Sequence, residues 1–237
     1  MTAVPGTLRA DAARILPLAW PVLVGQVAVL MFATVDTVLV ARYSAADLAA
    51  LAVGGAAYIT VFIGLMGVVL ALGPIVGQLF GAKRYAAAGE QLHQAVWLAF
   101  GLTLIGSTVL VFPYPFLALS QATPEVAEKI RGYLLGLAFS LPAGLLFAAY
   151  RGFNNAVSRP KAVMLLQLGG LALKVPLSAL LVYGAGPVPS LGVTGCGVST
   201  AIAMWFNVAV AWAWATRAST LATVAWYSRA SICTSGS

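Results

Sequence analysis

The 237-residue chain carries a net charge of +7 but only 8% charged residues, against 61% hydrophobic residues and a mean hydropathy of +0.96. A soluble globular domain has about 25% charged residues, so this composition excludes one and calls for lipid as the solvent. The thirteen Lys and Arg stand singly or in pairs between apolar runs and form no basic stripe, which excludes a nucleic-acid partner.

Residues 1–14 read as a cytoplasmic segment that ends where an apolar stretch begins. That stretch, Ile15 to Ala41, exceeds the roughly 7 to 15 residues of a signal-peptide core and contains Asp36, so it reads as a spanning helix. About 20 apolar residues cross a bilayer core. By that measure further spans fall at 52–80, 92–116, 130–150, 161–183 and 192–215, separated by segments rich in charges and turn formers. The expected fold is therefore all-α: a polytopic bundle of six transmembrane helices over residues 15–215, followed by an atypical cytoplasmic tail at 216–237.

Orientation follows from basic residues, which cytoplasmic loops retain. Arg9, Arg14, Lys83, Arg84, Arg151, Arg159, Lys161, Arg217 and Arg229 fall on one side, and Arg42, Lys129 and Arg131 on the other. This imbalance predicts both termini inside. Gly73, Gly77 and Gly81 form two small-xxx-small steps that predict close backbone packing, and Gly132 with Gly136 repeats the device. Pro17, Pro21, Pro74, Pro113, Pro142 and Pro176 lie in or beside spans and predict bends.

Asp36 lies six residues, roughly 9 Å, inside the Arg42 boundary. A carboxylate there has to reach the interface, face a polar cavity, pair with a cation or take up a proton. Lys174 lies about ten residues, roughly 15 Å, from the nearer end of its span, deeper than its stem reaches. It reads either as half of a structural ion pair or as a transport residue, with Asp36 as its partner. Gln26, Thr34, Thr37, Thr60, Gln78, Gln94, Gln167, Ser178, Thr200 and Asn207 are the other polar intramembrane residues, suited to bonds between helices. His93 stands at an interface. Cys196 and Cys233 give neither a disulfide framework nor a metal-ligand spacing. With no H-E-x-x-H, P-loop or G-x-S-x-G, the sequence predicts no enzyme and no cofactor.

In chain order, VDTVLVARYSAADLAAL (35–51), LGPIVGQLFGAKR (72–84), HQAV (93–96), YRGFNNAVSRPK (150–161), KVPLSALLVYG (174–184) and LGVTGCGVSTAIAMW (191–205) resemble the NorM-like branch of the multidrug and toxic compound extrusion (MATE) family. The resemblance implies antiport in a bacterial inner membrane, with proton or sodium entry driving export of organic, often cationic, compounds. It implies two six-helix lobes facing each other in a V, of which this chain matches the first. Asp36 matches the family's first-helix acid, a protonation or cation site, and Thr200 a sixth-helix hydroxyl beside it. Gln26, Thr34 and Asn207 become candidate cavity-lining residues. Lys174 and Ser178 depart from the family, whose fifth-helix groups there are uncharged or acidic. A fixed ammonium beside Asp36 would repel Na+, so the departure favours protons as the coupling ion. The family's length implies twelve spans. A chain with six is expected to be a truncated product, a remnant that folds without transporting, or a half-size protein that pairs with a second lobe or with itself.

Overall fold

In the computed structural model, which describes residues 8–120, 122–158, 160–184 and 189–234, the chain forms eight α-helices, and no strand occurs among the described residues. They are α1 (Leu8–Tyr43), α2 (Ala45–Leu70), α3 (Leu72–Gly81), α4 (Tyr85–Val111), α5 (Tyr114–Ser120), α6 (Pro124–Ala156), α7 (Pro160–Tyr183) and α8 (Val193–Thr234). Six stretches are long and apolar enough to cross a membrane: Ile15–Tyr43, Ala45–Gly81, Ala87–Val111, Pro124–Ala156, Pro160–Tyr183 and Val193–Trp214. Residues 1–7 of the N-terminal segment and 235–237 of the tail lie outside the described residues.

Several boundaries differ from the sequence expectation: α2, α4 and α6 begin at 45, 85 and 124 instead of 52, 92 and 130, α8 runs on to Thr234 through the expected tail, and three further differences have local causes, two of them proline. The predicted span 52–80 is interrupted at Ala71 between α2 and α3. Pro74 has no N–H to give the Leu70 carbonyl and crowds it, so the helix tightens and the Ala71 amide donates instead to Val68 at 3.3 Å. The third span ends at Val111, not at 116, because Pro113 stops α4 and residues 114–120 form the separate short helix α5. The fourth reaches Ala156, so Arg151 is helical instead of lying in a loop.

α6 is the innermost helix and packs against α2, α3, α4 and α8, while α7 is sandwiched between α1 and α8. The α6–α8 contact rests on glycine: a side chain on Gly136 would lie 2.8 Å from the Gly197 backbone, and one on Gly197 would lie 2.7 Å from the Tyr133 carbonyl. Gly132 similarly meets Thr194. The expected ladder of Gly73, Gly77 and Gly81 is not used in this way, because open space surrounds all three. Spacing alone cannot tell which face of a helix has a neighbour.

One end of the bundle is closed by Asp47, in the first turn of α2 and only 3% exposed. Its carboxylate accepts from Lys129 of α6 at 2.6 Å and from the Val193 amide at the start of α8 at 3.0 Å. It therefore neutralises a cation, caps a helix and ties three elements together. Gly192, with φ of 54°, brings the chain into that cap. The two glycine sets make opposite predictions. Gly136→Ala should destabilise the chain in detergent by about 1–3 kcal/mol through overpacking, whereas Gly77→Ala should stay within about 0.5 kcal/mol of wild type. Equal effects in an unfolding titration would contradict this packing.

Candidate functional site

The polar interior of the bundle is built where α1, α7 and α8 meet. Lys174 on α7 has no solvent exposure and Asp36 on α1 is 6% exposed. Their charged groups approach to 2.8 Å, Nζ donating to Oδ2. The Lys174 ammonium also donates to Thr200 Oγ1 on α8 and lies 5.3 Å from the centre of the Phe32 ring, one turn below Asp36 on α1. Each face of the ammonium thus meets an anion, a lone pair or an aromatic quadrupole.

The second carboxylate oxygen starts a chain of hydroxyls. Ser178, one turn beyond Lys174, donates to Asp36 Oδ1 at 3.2 Å, and Ser178 and Ser199 lie 2.7 Å apart. Ser199 in turn bonds the Cys196 carbonyl at 2.9 Å, and Thr200 bonds the same carbonyl at 2.8 Å. With Asp36 ionised, two serine protons serve three contacts along the line Asp36–Ser178–Ser199–Cys196, since a hydroxyl has one proton to give. A proton on Asp36 Oδ1 would fill all three, each group donating to the next.

Asp36, Lys174, Ser178 and Thr200, which the sequence singles out, are therefore brought together. Gln26, Thr34 and Asn207 lie elsewhere. Thr34 is exposed and bonds the Leu30 carbonyl of its own helix at 3.1 Å. Asn207 is buried seven residues, about two turns, along α8 from Thr200 and occupies the space beside Gly170. Gln26 accepts from Arg151 at 3.3 Å, towards the opposite end of the bundle from Asp47.

Sequence reasoning did not find Ser199 or Phe32. Ser199 precedes the matched Thr200, and nothing in composition separates it from a packing serine. Phe32 carries a weak signal: it stands four residues before Asp36 and so shares its face. Among the described residues no group of three His, Cys, Asp or Glu side chains is arranged to hold a metal ion.

Six apolar helices around an internal ion pair define a multi-pass membrane protein with a charged site inside its bundle. The MatE family model matches residues 21–180, and the chain belongs to the MATE family. It is 45% identical over 198 residues to a probable multidrug resistance protein NorM of Aromatoleum aromaticum, covering 84% of this chain and 43% of that protein. It is 34% identical over 213 residues to the multidrug resistance protein PmpM of Pseudomonas aeruginosa, covering 90% and 45%. The fold is similar to the bent form of the Vibrio cholerae MATE transporter VcmN, with a TM-score of 0.76 at 21% identity over 87% of this chain and 46% of that one. It is also similar to the eukaryotic MATE transporter AtDTX14, with a TM-score of 0.76 at 20% identity over 84% and 44%. The chain spans less than half the length of these relatives.

Removing one charge of the buried pair should cost more than removing both. Asp36→Asn or Lys174→Met alone leaves an uncompensated ion and should destabilise the chain by about 3–5 kcal/mol, and the double variant should recover at least half of that. Unfolding in mixed detergent micelles measures all three. Additive losses would contradict a direct ion pair.

Proposed function

We propose that this chain is one lobe of a proton-coupled exporter of organic, often cationic, compounds, and that Asp36 is the group on which the coupling proton acts. The observation that carries this reading is the buried ion pair between Lys174 and Asp36 at 2.8 Å. The ammonium occupies the side of the carboxylate that a coupling metal cation would need, and like charges at that distance repel. A proton needs no coordination space beside the ammonium, because it adds to the carboxylate itself, although taking it up gives up the ion pair with Lys174. The unfilled proton in the Asp36–Ser178–Ser199 line supports the same choice.

Exchange then has a physical basis. Ionised, Asp36 holds Lys174 or, in its place, a substrate cation that reaches the site. Protonated, it has no charge with which to hold either, and the substrate is released while Lys174 keeps Thr200 and the Phe32 ring. Exchange by a two-lobed cleft requires a second six-helix lobe, contributed by further sequence or by a second copy of this chain inserted in parallel. Without that partner, the same lobe is a folded membrane scaffold that does not transport. The distribution of Lys and Arg supports cytoplasmic termini, and the bacterial relatives support the inner membrane.

The test uses a two-lobed protein carrying this sequence as its first half. Asp36→Asn should abolish drug export while leaving insertion intact, and wild-type export should follow an imposed pH gradient but not a sodium gradient. Full export by the Asn variant, or sodium-driven wild-type export unaffected by pH, would contradict the assignment.

A further inference from the structure

Towards the Arg151 end of the bundle lies a cavity of about 230 Å3, walled by α1, the end of α2, the last turns of α6 and the first two turns of α7. It has no part in the Lys174 network. Its volume has room for several waters at about 30 Å3 each, or for one compact polar group.

Three features give it a sign. Arg151 lines it, and among the described residues no carboxylate lies within ion-pairing distance of Arg151; its contacts are the Gln26 carbonyl oxygen at 3.3 Å and the Met66 sulfur at 3.7 Å. Gln167, only 4% exposed, lines the same cavity and has an amide nitrogen with no hydrogen-bond partner. α7 begins at Pro160 on the cavity wall, so the positive end of its dipole points there. Arg151, Gln167 and the start of α7 thus line one cavity, and a guanidinium, an amide donor without a partner and a helix N-terminus each favour an anion with several acceptor oxygens.

The rest of the lining distinguishes a lipid from a free ion. Val22, Leu70 and Met164 give the cavity an apolar part of its lining. Arg151 lies five residues, roughly 7.5 Å, from the end of α6, near one end of its span. Basic pockets between transmembrane helices at this level are suited to lipid phosphates. We propose that this cavity binds the phosphate of an anionic phospholipid from the adjoining leaflet, with Arg151 and Gln167 as its donors and the apolar part of the lining meeting the first acyl carbons of the lipid.

The test is native mass spectrometry, with thermal unfolding in parallel, of the full chain in neutral detergent with phosphatidylglycerol, phosphatidylcholine or inorganic phosphate. Phosphatidylglycerol should be retained about tenfold more tightly than phosphatidylcholine. Arg151→Gln should remove most of that preference, while Lys161→Gln, an exposed cation just outside the cavity, should change it less than about twofold. If Arg151→Gln does not fold, Gln167→Leu should weaken retention several-fold. Equal retention of the two lipids, or equal losses from the Arg151 and Lys161 variants, would overturn the site. Inorganic phosphate protecting as well as phosphatidylglycerol at the same concentration would overturn the lipid assignment.

Discussion

An ammonium group with no solvent exposure inside an apolar bundle must be given a counter-charge, and Lys174 obtains one only while α1, α7 and α8 keep the register that puts Asp36 and Thr200 around it. Desolvating either ion alone costs several kcal/mol, and the pair recovers that cost only with good geometry and additional hydrogen bonds. The second carboxylate oxygen, the two serines and the Phe32 ring supply those additional contacts. The same requirement explains why the site sits where three helices meet. No pair of helices offers enough donors and acceptors to close the network.

The remainder of the bundle holds those three helices in place. α8 is pressed against α6 at Gly136 and Gly197, too closely for any side chain between them, and its first residue is capped by Asp47. Asp47 also holds Lys129, so the start of α8 is tied to both α2 and α6. Thr200 and Ser199 lie within two turns of that cap, and their positions inherit its rigidity. At the opposite end the bundle is less tightly closed: a cavity lies between α1, α6 and α7, and Gln167 and Asn207 each keep one buried polar atom without a partner. A lobe fixed at one end and loosely packed at the other can change the relation of its helices without breaking the ion pair's surroundings.

Much of this was legible before the structure. Hydropathy alone places six spans, because lipid allows few alternatives to a helix. Depth within a span identifies Asp36 and Lys174, and their pairing follows because the predicted spans hold no other acid. Side-chain direction was not legible. The Gly73–Gly81 ladder has the spacing of a packing motif but faces open space, while Gly136 with the same spacing is buried against Gly197. Asp47 reads in sequence as a loop acid and Lys129 as a topology signal, yet together they form the second ion pair that ties helices to one another. Thr34 shares a helix and a polarity with Asp36 but points away from the network. In each case the deciding information is which face of the helix has a neighbour, and local sequence does not carry it.

Infrared difference spectroscopy bears most directly on the claim that Asp36 exchanges a proton within this network. Acidifying the wild-type chain in lipid should produce the carbonyl band of a newly protonated, buried carboxyl group, and the band should be missing from Asp36→Asn. No band in the wild type, or the same band in the variant, would contradict the account.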